Sequence, residues 1–598
     1  MKLSLFFIFL ILWGHAFPQG SAIPLGNDAY RILDRLEIKS GGIPDYHSSL
    51  KSYTRGDAMK FILSLDTLSS RLNEFDRDDC FYMYCENNEW LSTDELNQTA
   101  FGKKEGYYEK IPGDTLYRFI PGSEIRKSHE SEHFITTSKP IWKYFYRTPA
   151  NWLELNRDAF YLKVNPMVHF QVGKSGEGDR AVFVNQRGLE IRGGIDDRVY
   201  FYSNITDTQA RFPEYVNRYI NQNKAVPGNG FYKSYDSRVF DSAGSWDYLN
   251  GQGYLGINIT PHIGMQFGHG KNFIGNGYRS LLLSDFSHNY LYLKLNWRVW
   301  RFHYQNLFAE LSATSAQSNP GDNNLPKKYM AAHYLSFNLL PTMTLGFFEA
   351  VIFDRANGQF ELQYLNPVIL YRSVEHLLDS EDNVIAGLDF KWNILKKGRL
   401  YSQLVLDEFK FDELTGGSGW WANKFGVQAG LQWVDLFRVP QLDIRLEYNT
   451  VRPYTYTYRA AQGASYSHYN QALAHPLGAN FKEALATVRY QPLKKLSFDG
   501  RLIRATFGED GTGENWGGNI LLSNDTHEMD YGNETGQGIS TTTTLLGLDV
   551  SYELWHNVYF DVHYFFRNKE SALPERSDKD SYIGAGFRWN VGPLRNDF

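Results

Sequence analysis

Cysteine is nearly missing from this 598-residue chain: Cys80 and Cys85 are the only two. That excludes a disulfide-rich scaffold. Five positions apart, the pair permits one small closed loop in an oxidising compartment, or two ordinary buried thiols. Long apolar runs are missing as well. Past Trp13 no stretch reaches the ~18 consecutive apolar residues of a spanning helix, so membrane helices are not expected. Neither sign of charge dominates. The 61 basic and 67 acidic residues leave a formal charge of −6, with no basic excess to suggest a nucleic-acid partner. Catalytic signatures are missing too. There is no Gly-x-Ser-x-Gly elbow, no His-Glu-x-x-His and no nucleophile with an evident base. The expectation is a protein that is not an enzyme and carries no cofactor.

Aromatic residues, by contrast, are abundant. The chain has 40 Tyr, 41 Phe and 14 Trp, 16% of all residues, although its mean hydropathy is a polar −0.44. A soluble core does not need so many rings. A transmembrane β-barrel does, with aromatic girdles at both interfaces and polar loops and lumen. The start agrees. Met1-Lys2 precedes an apolar run from Leu3 to Trp13, a charged region followed by a core of signal-peptide length. Cleavage is expected between Ala16 and Ala22, which assigns residues 1–22 to a signal peptide.

Residues 23–150 read as a small, partly helical periplasmic domain. Asn27-Asp28 can cap a helix bearing Ala29, Ile32, Leu33 and Leu36, with Gly41-Gly42 ending it. A second helical stripe runs from about Arg55 to Phe75 through Met59, Ile62, Leu63, Leu65, Leu68 and Leu72. Segments such as Thr115 to Ile120 suggest a hairpin.

From about Ala159 the apolar period changes to two, which assigns residues 151–598 to a barrel. Leu291, Leu293, Leu295 and Trp297 alternate with Tyr290, Tyr292, Lys294 and Asn296. Leu442, Ile444, Leu446 and Tyr448 alternate with Asp443, Arg445 and Glu447. The same holds for Val558 to Phe566 and for Ile583 to Trp589. Charge on one face and apolar or aromatic residues on the other suit lumen-facing and lipid-facing sides of a strand. A soluble antiparallel sandwich alternates similarly; the export signal and aromatic load favour the membrane.

Short turns are expected at Gly193-Gly194, Pro341-Thr342, Lys396 to Gly398, Pro492 to Lys495 and near His556. Long polar links lie at about 314–328, 356–382, 452–479 and 509–538. Short periplasmic turns alternating with long external loops mark an outer-membrane barrel. Direct reading yields about 17 strands. The short–long order slips once, which places a hidden strand between Asn204 and Ser287, near Tyr232 to Phe240. The fold class is therefore all-β, an antiparallel barrel of about 18 strands, both ends facing the periplasm and the N-terminal domain beneath. Phe598 ends a C-terminal stretch whose strand is anchored by Phe587 and Trp589.

Four segments invite chemistry. Gly268 to Ser280 packs four glycines with Lys271 and Arg279, but Asn272 stands where a phosphate loop needs Ser or Thr after a Gly-Lys pair. Glycines that let backbone fold into the lumen are the better reading. Asp407, Glu408, Asp412 and Glu413 could serve glycoside hydrolysis, yet alternation separates Asp407 from Glu408. A strand-end charge network with Lys424 or Arg445 is preferred. His468 and His475 lack a third ligand, so no metal site is expected. Arg452 to Arg459 alternates Tyr with small or basic residues, a pattern that holds a sugar by stacking and hydrogen bonds or simply packs a girdle.

Several of these stretches also resemble a known family. Phe267–Ser284 (FGHGKNFIGNGYRSLLLS), Gln363–Leu378 (QYLNPVILYRSVEHLL), Leu406–Leu414 (LDEFKFDEL) and Val451–Phe481 resemble the Wzi-like capsule-assembly family of outer-membrane proteins. With Asn27–Gly41 (NDAYRILDRLEIKSG) they are most similar to its gliding-motility branch, represented by RemB. The resemblance implies an outer-membrane barrel of about 18 strands in a Gram-negative cell, with a periplasmic helical part. It implies a lectin for surface (capsular) polysaccharide, and a link to surface gliding. Candidate ligand residues are Arg452, Tyr454, Tyr456, His468, Tyr469 and Asn470, then Lys271, Asn272 and Arg279. The expected partners are outer-membrane lipid, surface polysaccharide and gliding or secretion machinery. A transport channel and a structural subunit of a secretion or gliding machine are the alternatives.

Overall fold

In a computed structural model the chain closes a barrel of 18 antiparallel strands. The residues described are 20–65, 72–90, 106–110, 117–121 and 150–598, less 158, 177–179, 197, 237–243, 320, 322–323, 356–357, 369, 381 and 460–462. The expected signal peptide therefore falls almost wholly outside the described residues.

The barrel strands are β1 (Phe160–Ser175), β2 (Ala181–Ile195), β3 (Val199–Arg211), β4 (Ser245–Thr260), β5 (Ile263–Gly270) and β6 (Tyr290–Val299). They continue as β7 (Phe302–Ser312), β8 (Lys327–Leu340), β9 (Met343–Phe353), β10 (Asn383–Ile394), β11 (Gly398–Leu406) and β12 (Phe425–Trp433). The last six are β13 (Leu442–Val451), β14 (Phe481–Leu493), β15 (Leu496–Glu509), β16 (Ile539–Trp555), β17 (Val558–Ser571) and β18 (Asp578–Trp589). Each pairs with its neighbour in sequence, and β18 closes on β1 from Tyr582↔Ser175 to Trp589↔Val168.

The alternation read from the sequence sets the two faces. Phe560, Val562 and Tyr564 are exposed on the outer wall, while Asp561 and His563 are buried inside. Ile583 faces out at 60% exposure and Arg588 faces in at 4%. Short turns lie at one end, for example Pro341-Thr342, and all the long links at the other.

Two local expectations are corrected. Among the described residues near Tyr232 to Phe240 there is only Lys233–Tyr235, a three-residue strand that pairs with the start of β4 and does not cross the wall. The count of 18 is reached through β4 and β5, where Gly251, Gly253 and Gly256 leave gaps in the alternation. Nor is Gly193-Gly194 a turn. Both glycines lie inside β2, where a Cβ would meet the Phe201 ring at 2.5 Å and the Tyr161 ring at 2.4 Å. The turn follows, with Asp196 at φ 51° and the Arg198 amide donating to the Ile195 carbonyl at 3.1 Å.

The N-terminal part contributes α1 (Ala29–Ser40), α2 (Arg55–Ser64) and α3 (Glu74–Glu86). The expected start of α1 is present: the Ala29 amide donates to Asn27 Oδ1 at 2.8 Å, and Gly41 ends the helix at φ 71°. The second stripe is split between α2 and α3, and α3 opens with a capping box between Asn73 and Asp76. Cys80 and Cys85 are both buried in α3; five residues of helix turn them onto different faces. Gly106–Lys110 pairs with Tyr117–Pro121, as the expected hairpin.

These helices do not hang beneath the barrel. They are seated in its short-turn mouth through charge complementarity. Glu37 accepts from Lys391 Nζ at 2.7 Å and faces Arg399 at 2.9 Å. Asp34 accepts from Arg399 at 2.9 Å. Arg35 lies among Asp76, Asp435 and Asp443. Above them, residues 271–289 fold inward from the long-loop end. Ile274, Leu281, Leu282 and Leu283 form an apolar cluster with the lumen faces of β7 to β9, including Leu307, Met330, Phe348 and Ile352. The stretch from Asn590 to Phe598 also turns back inside. Phe598 is thus beyond the final strand and within the lumen, against Tyr219 at 4.7 Å.

Candidate functional site

The inward glycine segment wraps a carboxylate of the protein itself. Glu447, on the lumen face of β13, accepts from the Tyr278 amide at 2.7 Å and the Arg279 amide at 3.0 Å. Gln403 accepts from the Leu281 amide at 2.8 Å and donates to the Ile274 carbonyl at 3.0 Å. A Cβ at Gly277 would sit 2.6 Å from Glu447 Oε2, so glycine is what lets the backbone close on that oxygen. The lumen-folding reading of this segment is the one the geometry supports.

Its candidate residues are engaged internally. Lys271 Nζ donates to the carbonyls of Gly228 at 2.7 Å and Asp285 at 3.0 Å. Burial pushes its ammonium down to about 8. Asn272 accepts from Lys294 at 3.2 Å, and Arg279 pairs with Glu483 at 3.3 Å and Asp597 at 3.4 Å.

The link between β13 and β14 holds the other candidates. Tyr454 and Tyr456 are buried, both at positive φ. Tyr454 Oη donates to the Asn515 carbonyl at 2.8 Å, and Tyr456 Oη to that of Leu281 at 2.7 Å. Arg452 Nε donates to the Asn423 carbonyl at 2.8 Å. His468 accepts from the Ser312 amide at 2.9 Å and bonds the Asn289 carbonyl at 3.0 Å through its other nitrogen. Burial holds that imidazole down to about 3, so it stays neutral. Tyr469 Oη accepts from the Ala316 amide at 3.1 Å. Asn470 donates to the Asn223 carbonyl at 3.0 Å. These groups staple five loops into one packed layer.

The acidic cluster behaves as a strand-end charge network. Lys424 lies 3.4 Å from Glu408, whereas Arg445 turns to Asp34 and Gln432 instead. Asp407 Oδ2 accepts from the Tyr456 amide at 2.7 Å. Burial, helped by Glu408 and opposed by Lys424, pushes the Asp407 carboxyl up to about 7. The native state therefore holds this proton more tightly than the unfolded chain, and its stabilisation is lost as pH rises from about 4 to about 7. Asp407→Asn should raise the melting temperature at pH 8 and leave it unchanged at pH 4, as followed by circular dichroism in detergent.

Above this layer a cavity of about 890 Å³ opens at the long-loop end, within the usual size range of ligand sites, about 300–1,000 Å³. One wall is α4 (Glu214–Asn223), which sequence analysis does not reveal. Its Val216 and Ile220 are buried, while Tyr215, Arg218, Tyr219 and Gln222, at helical spacing, line the cavity. The opposite wall comes from β15, β17 and the link before β18. Arg567 pairs with Asp578 at 2.7 Å, Lys569 with Glu509 at 2.6 Å and Arg218 with Asp578 at 3.2 Å. Arg576 lies 3.4 Å from Glu509. Phe598 forms part of the floor. Of the nine candidate residues, Asn470 lines this cavity, and Lys271 borders a void of about 40 Å³ nearer the barrel wall. The signal that could have revealed α4 is its i, i+3, i+4, i+7 run of ring and polar side chains after Pro213.

Among the described residues no group of three or more His, Cys, Asp or Glu is arranged to hold a metal ion. No curated protein sequence matches the chain. Among solved structures it is similar to Wzi of Escherichia coli, described as a carbohydrate-binding outer-membrane β-barrel involved in group 1 capsule assembly. There the TM-score is 0.46 at 12% identity, over 72% of this chain and 85% of that one. OprD of Pseudomonas aeruginosa gives 0.38 at 10% identity, over 72% and 94%. OccAB2 of Acinetobacter baumannii gives 0.39 at 9%, over 72% and 98%. The family model for capsule assembly protein Wzi matches residues 172–573, most of the barrel. An 18-stranded barrel that carries this match over two thirds of its length belongs to the Wzi capsule-assembly family, and its place is the outer membrane of a Gram-negative bacterium.

Proposed function

We propose that this protein binds surface polysaccharide in the cavity at its long-loop end, the external end of an outer-membrane barrel. The observation that carries the reading is the wall of that cavity: rings on one side and ion-paired side chains on the other. Sugar faces stack on rings, and sugar hydroxyls donate to carboxylates and accept from guanidinium groups. The carbohydrate binding described for E. coli Wzi supports the same reading. The action is that of a lectin, not a catalyst. The candidate residues Arg452, Tyr454, Tyr456, His468, Tyr469 and Asn470, with Lys271, Asn272 and Arg279, act by holding the loop layer that backs the cavity, Asn470 reaching the cavity itself.

Titration calorimetry of the purified protein with surface polysaccharide from its own host tests this. Saturable binding is expected; its absence overturns the reading. Tyr454→Ala with His468→Ala should weaken binding by disordering the layer, and unchanged binding would remove that layer from the site. The channel alternative makes the opposite forecast, a steady open conductance in planar bilayers. A role in surface gliding is a finer reading that rests on the sequence resemblance; a deletion strain that spreads normally while losing surface polysaccharide would separate the two.

A further inference from the structure

One sector of the outer wall has the wrong chemistry for bare lipid contact. Paired across β6 to β10, the outward residues Leu295, Asn306, His333, Glu349 and Ala386 form one row. Three polar groups side by side on a membrane-facing wall are costly unless covered. They are covered. After β9 the chain turns down the outside of the barrel. A short 3-10 turn, Leu362–Leu365, leads to α5 (Tyr371–Leu378).

The row supplies the hydrogen bonds this descending backbone needs. Asn306 Nδ2 donates to the Pro367 carbonyl at 3.1 Å, and Tyr304 Oη donates to it as well. Glu349 accepts from the amides of Tyr371 at 3.0 Å and Arg372 at 3.1 Å. It thereby caps α5, whose own N-cap residue, Leu370, offers no side-chain acceptor. His333 bonds Glu349 at 2.7 Å and stacks under the Tyr371 ring at 4.4 Å. Tyr364, Tyr371 and Val374 bury Phe308, Tyr329, Val351 and Phe353 of the wall. Asn306 and Tyr304 lie in the half of β7 nearer the short turn, so the segment descends well down the wall.

The side of this segment turned away from the wall carries large apolar groups, with Gln363, Asn366, Arg372, Ser373 and His376 exposed among them. Leu362 is 72% exposed, Val368 83%, Leu370 65% and Leu377 76%. That surface is continuous with the bare outer wall beside it, where Leu291, Phe347 and Leu388 are exposed. Irregular backbone survives at membrane depth only when its polar groups are met by protein; here the wall meets those of Pro367, Tyr371 and Arg372, and bonds within the segment meet the amides of Tyr364, Asn366, Val368 and Ser373. We propose that residues 359–368 and 370–378 are immersed in the hydrocarbon of the outer membrane, with Leu362, Val368, Leu370 and Leu377 against acyl chains. The polar row is then the internal face of a membrane-embedded flap.

Nitroxide labelling of the full chain in phosphatidylcholine vesicles tests this. Cys80→Ser and Cys85→Ser remove the native thiols, and single labels go on Val368→Cys and Leu377→Cys. Collision with oxygen, which enters hydrocarbon, is compared with collision with a nickel chelate confined to water. The oxygen-to-nickel ratio should match that of a Phe560→Cys label on the bare wall and exceed that of Asp525→Cys in an external loop. Nickel accessibility at both positions overturns the proposal by placing the segment in water. Low access to both reagents, with spin–spin broadening, overturns it in favour of a second copy. Adding Asn306→Leu and Glu349→Leu should shift the Val368→Cys label towards the nickel chelate; a label left in lipid would overturn the holding role of these two side chains.

Discussion

Glu37→Leu should release the helical layer from the short-turn mouth and turn a silent barrel into a conducting one. Glu37 is fully buried between Lys391 and Arg399, and it also accepts from Asn393 at 3.0 Å. Removing the carboxylate leaves Lys391 without its ion-pair partner and Arg399 with Asp34 alone, a loss of about 3–5 kcal/mol where a buried pair is broken from one side. Here α1 meets the barrel through charge, with Asp34 on Arg399 and Arg35 on Asp435 and Asp443 as its other ties. Two measurements check the outcome: protease cleavage between α1 and α2, and single-channel conductance in planar bilayers. Both should rise together. The double variant Glu37→Leu, Lys391→Met should restore protection, since replacing a buried ion pair with apolar groups of similar volume is often neutral and Arg399 keeps Asp34 as its partner. Cleavage and conductance unchanged in Glu37→Leu would show that the layer is held by other contacts.

Arg218→Ala with Tyr219→Ala should cut polysaccharide affinity by roughly 30- to 2,000-fold. Both residues stand on the cavity face of α4, and alanine preserves helix propensity. Losing an aromatic stacking partner costs about 0.5–1.5 kcal/mol, and losing a hydrogen bond from a charged group about 1.5–3 kcal/mol. Their sum is roughly 2–4.5 kcal/mol, which sets the fold-change. Tyr219→Phe should retain most of the affinity, because it keeps the ring that packs on Phe598 at 4.7 Å. Titration calorimetry distinguishes these outcomes, and an intact melting transition guards against a folding defect. Affinity unchanged in the double variant would move the glycan away from α4.

Where a strand has water or protein polar groups on one side and lipid on the other, its pattern could be read directly. Leu291 to Trp297 and Val558 to Phe566 alternate because each face has one solvent. The pattern becomes ambiguous in β7 to β9. There the lumen face is apolar, with Leu307, Ala332, Phe348 and Ile352 packed on the inward segment 271–289. The outer face carries Asn306, His333 and Glu349 under the flap. A reading by polarity would turn that stretch inside out, because what covers each face comes from residues distant in sequence. The site is affected by the same limit. Tyr454, Tyr456 and His468 stand out as rings and bases in a row, yet their polar atoms are bonded to backbone of other loops. The cavity is assembled from α4, two strand ends and Phe598, segments far apart in the chain, and no local pattern joins them.

The seam between β1 and β18 brings strands from opposite ends of the barrel sequence into register, from Val168↔Trp589 to Ser175↔Tyr582. By the time it closes, the inward segment must already be inside, since the helical layer fills one mouth and packed loops crowd the other. Filling and sealing are then a single cooperative event. The lumen residues that hold Gly268 to Ser280 in place, Gln403 and Glu447 foremost, become determinants of how fast the barrel can seal as well as of how stable it is once sealed.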